Sequence, residues 1–154
     1  MVACDRRSIV TIDPRDRRQP DYPVLREIPL RWADIDTYGH VNNAVNYVLM
    51  DTLVNGWLGE QTGVDIRTDL SGFAVVVETS CRYFREMQFS VTPKLGLRLE
   101  GAARSSVRYE IAFFIDDSAP AAVGRFVHVY IDPQSRRPVD IPERIRRALE
   151  LLEP

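Results

Sequence analysis

The sequence predicts an α+β fold in two layers, one long helix packed against a curved antiparallel sheet of about five strands. Three observations carry this. A single stretch, residues 43–58, repeats its apolar residues at the helical spacing of three and four. Four later runs alternate apolar and polar residues with a period of two. A helix and a sheet with one apolar face each must bury those faces against one another, which gives two layers around one core.

The elements follow in order. Residues 1–22 are rich in Arg, Asp and Pro and carry no period, so they read as a flexible or loosely docked leader ending at Pro20 and Pro23. Residues 23–154 read as one domain. The first strand covers 24–32, with Val24, Ile28, Leu30 and Trp32 on one face. Pro29 cannot donate to a ladder, so that strand lies at an edge or is irregular there. The helix opens at Asn43, a residue type suited to the N-cap, and its apolar positions include Ala44, Tyr47, Val48, Met50, Leu53, Val54, Trp57 and Leu58. They cover more than a narrow stripe, so other structure should surround the helix on most sides. Gly59 and Gly63 mark its exit, and 60–72 is a polar loop.

In 73–84, Val75, Val77, Thr79, Cys81 and Tyr83 alternate with Val76, Glu78, Ser80 and Arg82. Leu95, Leu97 and Leu99 alternate with Gly96, Arg98 and Glu100. Val107, Tyr109, Ile111, Phe113 and Ile115 then face one way, as do Val123, Val127, Val129 and Ile131 in the last run. Asp116, Asp117 and Ser118 suit the turn of a hairpin between those two strands. A short helix closes the chain over 144–152, with Asp140 or the residue after it as cap and Pro142 in the first turn.

Composition narrows the function. At 154 residues, 45% hydrophobic and 27% charged, the chain has the make-up of a globular domain. A net charge of −2 with both signs interspersed implies no general affinity for nucleic acid or an anionic membrane. No run approaches the roughly 18 apolar residues that span a bilayer, and no signal peptide is expected at the start. Two cysteines, Cys4 and Cys81, make no disulfide framework. Two histidines, His40 and His128, without CxxC or HExxH, make a metal site an unsupported reading. A reduced, cytoplasmic setting is the expectation.

The chemistry concentrates in residues 31–43, RWADIDTYGHVNN, between the first strand and the helix. A helix N-terminus offers unpaired N–H groups and partial positive charge. Donors there can hold a developing oxyanion while a nearby carboxylate attacks or activates water. The same residues also fit a plainer reading, in which Asp34, Asp36 and Asn43 form Asx-turns and a cap and Gly39 is a turn glycine. Residue types and spacing do not separate the two.

RWADIDTYGHVNNAVNY resembles the signature of the 4-hydroxybenzoyl-CoA thioesterase-like branch of the hotdog superfamily, roughly RWxDxDxxGHVNNxxY. The likeness continues through VVVETSCRYFREM, RSSVRYEI and VHVYIDPQSRRPVDIPERIR, and so covers about residues 24–150. It implies the hotdog fold and hydrolysis of an acyl-CoA thioester. Asp36 would be nucleophile or general base, the Asn43 backbone N–H the oxyanion donor, and His40 and Asn42 would shape the loop or orient water and substrate. Asp34 would organise the turn. Relatives hold the nucleotide end of CoA near a turn that corresponds here to Arg104, Ser105 and Ser106, which also reads as a solvated hairpin. Tyr47, Met50, Val54 and Val77 would shape the acyl pocket. Coenzyme A enters as part of the substrate, with no separate cofactor. The resemblance also implies a homodimer or homotetramer, with sites formed between protomers.

Two departures bear on the substrate. Asn46 stands where the family has an aromatic residue, with Tyr47 next to it. The stretch 87–94 lacks the acidic residue common before the third strand. Glu78 reads as an ordinary strand charge if it faces solvent, and as an assistant to water if it faces the pocket. The rival functions are a non-catalytic acyl-CoA-binding hotdog protein, and a dehydratase, for which His40 is misplaced.

Overall fold

The computed structural model describes residues 12–153. Five strands, β1 (Val24–Glu27), β2 (Phe73–Tyr83), β3 (Lys94–Ala102), β4 (Ser106–Phe114) and β5 (Ala122–Ile131), form one sheet in the order β1-β3-β4-β5-β2. Every neighbouring pair is antiparallel. A 20-residue helix, α1 (Asn43–Thr62), packs on one face, and α2 (Glu143–Leu149) closes the end of the layer. With this architecture the chain has the hotdog fold.

The helix starts because the Asn42 side chain accepts from the Ala44 N–H at 3.0 Å. The cap is therefore Asn42 and not the expected Asn43, which is the first helical residue. The helix runs on through Gly59 and stops at Gly63, whose φ of 64° is a left-handed value that glycine adopts without penalty. Its buried apolar residues, Leu49, Met50, Leu53, Val54, Trp57 and Leu58, recur at three and four along one face. Val48, Asp51 and Thr52 on the other face are exposed. Burial within one chain is thus narrower than the count of apolar residues suggested. Met50 lies directly over Gly124 of β5, where a Cβ would stand 2.1 Å from its sulfur.

The structure corrects three further local expectations. β1 ends at Glu27, ahead of Pro29, and Trp32 is not on a strand face. It lies in a 3-10 turn (Trp32–Asp34), 78% exposed, edge-on to Phe89 at 5.5 Å. Alternation in β2 breaks at a bulge between Val76 and Glu78, so Val77 is unpaired and 57% exposed. The bulge inserts one residue and reverses which side chains face the helix. At α2, Pro142 itself takes the cap position and no side chain caps the helix.

The outer face of the sheet is partly covered by residues 12–22, which make two 3-10 turns (Pro14–Asp16 and Gln19–Asp21). Tyr22 is buried there against Phe114, Ala112 and Val123 and sits close over Gly96. Its hydroxyl donates to Glu110 at 2.8 Å, and Arg17 pairs with the same carboxylate at 3.0 Å. Cys4 and residues 1–11 lie outside the described residues. Cys81 is a free, half-buried thiol, and burial pushes its pKa up. No helix among the described residues is long and apolar enough to cross a membrane.

Candidate active site

The loop before α1 is held by backbone and carboxylate contacts that follow from its residue order. Asp34 is buried and accepts from the Arg31 N–H at 2.7 Å and from its guanidinium at 2.7 Å. Those hydrogen bonds, the side-chain one first, hold the Asp34 carboxyl below the usual carboxylate range. The Asp34 carbonyl accepts from Asn42 N–H at 2.8 Å, which sets the helix start. Asp34 is thereby committed to the loop.

Residues 35–41 fold back on themselves, with Ile35 bridged to Val41 and the Asp36 N–H donating to the His40 carbonyl at 2.8 Å. The turn closes through Gly39 N–H to the Asp36 carbonyl at 3.1 Å, and Gly39 has φ 84°. Oδ1 of Asp36 accepts from Tyr38 N–H at 2.8 Å and His40 N–H at 3.2 Å, so the Asx-turn is present. It engages one oxygen only. Oδ2 of Asp36 accepts no hydrogen bond from the described residues, on a side chain that is only half-buried.

The helix start supplies the complementary group. Of the first-turn donors, Ala44 N–H goes to the Asn42 side chain and Val45 N–H to the Asn42 carbonyl at 2.9 Å. The Asn43 N–H is left without an acceptor among the described residues, as expected at the first helical position. Asp36, His40, Asn43 and Asn46 line one cleft of about 760 Å³ together with Tyr83 and Glu86 from the end of β2 and the segment after it. That segment is tied to the loop by Val41 N–H to the Met87 carbonyl at 2.8 Å and by the His40–Gln88 bridge. His40 Nε2 lies 3.1 Å from a Glu86 carboxylate oxygen. A free carboxylate oxygen and a free helix-start N–H in one cleft can serve a carbonyl that is attacked on carbon while its oxygen gains charge.

A family model described as the thioesterase-like superfamily matches residues 30–149, a span that holds every one of these groups. The chain belongs to that superfamily. Among solved structures it is similar to the PA5185 protein from Pseudomonas aeruginosa strain PAO1, at 41% identity over 88% of this chain and 95% of that one, with a TM-score of 0.82. It is also similar to a thioesterase from Thermus thermophilus solved with coenzyme A and Zn, at 29% identity, 86% and 96% coverage and a TM-score of 0.73. No curated protein matches the sequence. Family and likeness together support thioester hydrolysis in general.

The other candidate residues of this thioesterase-like chain are distributed unevenly. Asn42 caps the helix. Tyr47 packs partly buried against the core, and Val77 is out on the bulge; neither lines the cleft. Arg104, Ser105 and Ser106 form the β3–β4 turn, where Arg104 pairs with Asp140 at 2.5 Å. That turn lies at the end of the sheet where Ser106 pairs with Val129, whereas the cleft adjoins the end where Tyr83 pairs with Ala122. The length of β4, about 27 Å at about 3.4 Å per residue, separates them within one chain. Glu78 is exposed, 4.0 Å from Arg125. Sequence reasoning passed over Tyr83 and Glu86 as site residues, because a strand end and its following loop carry no motif of their own.

A second cavity of about 510 Å³ lies near the other end of α1, lined by Leu58, Ile66, Leu70, Phe73 and Tyr130 among others. Its lining holds no carboxylate, histidine or thiol. No group of three or more metal-ligating side chains occurs among the described residues.

Proposed function

We propose that this chain hydrolyses an acyl-CoA thioester to the free acid and CoA. The observation that carries the reading is the pairing, in one cleft, of the Asp36 carboxylate and the unpartnered Asn43 N–H at the start of α1. The thioester oxygen sits at the Asn43 N–H and its carbonyl carbon faces the free oxygen of Asp36. Asp36 either attacks that carbon, giving an anhydride that water then opens, or takes a proton from the water that attacks. In both routes the C–S bond breaks and the thiolate leaves and takes the proton given up by water. The water oxygen ends on the acyl carbon in the base route, and on the acyl carbon or on Asp36 in the anhydride route. His40, beside Glu86, and Asn42, at the cap, shape the loop around the reacting water, and Asn46 forms part of the wall that meets the acyl group.

The protein acts as a homodimer or a homotetramer in this reading. β2 is an edge strand whose outer side has no partner among the described residues, and it carries Val76, Val77 and Tyr83 exposed. Such an edge is a template for pairing with a second copy. Antiparallel pairing of two β2 edges sets the Phe73 end of one beside the Tyr83 end of the other. The Arg104–Ser106 turn then approaches the cleft from the partner subunit, where guanidinium and hydroxyls can hold CoA phosphate. The free Cys81 thiol suits a reduced cytoplasmic setting.

The test is free-thiol release from a panel of acyl-CoA esters by the wild type and Asp36→Asn. The substitution should lower turnover by at least about 100-fold, the worth of a positioned acid or base. A wild type that binds acyl-CoA yet releases no thiol across the panel would replace hydrolysis with the binding-protein reading.

A further inference from the structure

Tyr83 is the last residue of β2, forty positions from the helix start, and its hydroxyl donates to the Asn43 carbonyl at 3.1 Å. The Asn46 Nδ2 reaches the same oxygen at 3.5 Å from a side chain that is 1% exposed. In an α-helix that carbonyl also accepts from the N–H four residues on. Three donors therefore converge on one carbonyl in the first helical turn, the part of a helix most prone to fray. Asn43 is itself exposed, and on its other side the tie is the Asn42 cap. Asn46 stands with its NH2 toward the Asn43 carbonyl, where its oxygen would be repelled, and its Oδ1 is left buried with no hydrogen-bond partner among the described residues. Neither side chain hydrogen-bonds Asp36, so neither belongs to its proton transfer.

We propose that Tyr83 and Asn46 are positioning residues that clamp the Asn43 carbonyl to the end of β2 and so aim the Asn43 N–H at the thioester oxygen. The proposal rests on the hydrolase reading above. It also accounts for Asn46, since a buried amide that serves the helix start stands where the family has an aromatic residue. A tyrosine hydroxyl has an ordinary pKa of about 10, and burial shifts that of Tyr83 further up, so it is a donor at neutral pH.

Tyr83→Phe removes one hydroxyl and leaves the ring. Loss of a whole oxyanion donor costs about 100- to 1000-fold in kcat, so a donor left in place but poorly aimed should cost about tenfold. Because the donor acts on the transition state, kcat should fall while KM stays within about twofold. Asn46→Leu should lower kcat by a similar factor while also moving KM, because Asn46 lines the acyl wall. In kcat the double variant should be little worse than the more impaired single, since both act through one carbonyl. Wild-type kcat in Tyr83→Phe, a rise in KM with kcat intact, or fully multiplicative losses in the double variant would overturn the clamp and leave the hydrolase reading standing. A wild type without thiol release would overturn both.

Discussion

His128 offers a test of the core whose size can be worked from its surroundings. It sits on β5 facing inward, 2% exposed, with Phe126, Tyr109 and Tyr130 edge-on at 5.0, 5.7 and 6.4 Å. Its Nδ1 has no hydrogen-bond partner among the described residues. Burial penalises the imidazolium and pushes the pKa from 6.5 down to about 4. The unfolded chain therefore binds a proton that the folded chain refuses between those two values. Stability is intact above about pH 6.5 and falls as the pH drops towards 4. At 1.36 kcal/mol per pH unit the full loss is about 3 kcal/mol, of which about 2 kcal/mol has gone by pH 5. Urea unfolding of wild type and His128→Leu at pH 7 and pH 5, at one protein concentration, reads the difference directly. The wild type should lose about 2 kcal/mol more than the variant over that interval, because carboxylates elsewhere contribute equally to both. Equal losses would refute the argument, and would mean that the imidazole finds solvent or a partner on folding.

Four further outcomes follow from packing, capping and buried hydrogen bonds. Gly124→Ala should destabilise by about 1–3 kcal/mol, since its Cβ would meet the Met50 sulfur at 2.1 Å and the Ser80 carbonyl at 3.2 Å. Gly56→Ala, on the exposed face of α1 with nothing within 4 Å, should instead stabilise by about 0.5–1 kcal/mol, and thermal melts distinguish the two signs. Asn42→Ala removes the bond to Ala44 N–H and should cost about 1 kcal/mol in chemical denaturation. Tyr22→Phe takes the 2.8 Å donor from buried Glu110 and should cost about 1–3 kcal/mol, with the loss seen as a lower urea midpoint at unchanged slope.

The layers of the fold were legible because they rest on local periodicity. Apolar spacing of three and four marked α1, and period-two runs marked β2 to β5, since a side chain's direction in a helix or strand depends on its neighbours a few residues away. Where the local period was broken by something non-local, the reading failed. The bulge before Glu78 turned Val77 outward, and the turn at 32–34 took Trp32 off the strand. Asn42 and Asn43 were indistinguishable as caps by residue type, and backbone dihedrals decided between them.

By itself, then, the sequence determined the fold class and marked the segment 31–43 as the place where carboxylates precede a helix start. Only the tertiary structure decided which oxygen of Asp36 is free, that Tyr83 and Glu86 join its cleft, and that Arg104 to Ser106 stand at the far end of the sheet. Hydrogen bonds such as that from Tyr83 to Asn43 join residues forty positions apart. They exist only once antiparallel pairing has set the register of β2 and laid its end against the start of α1, which no window of neighbouring residues encodes.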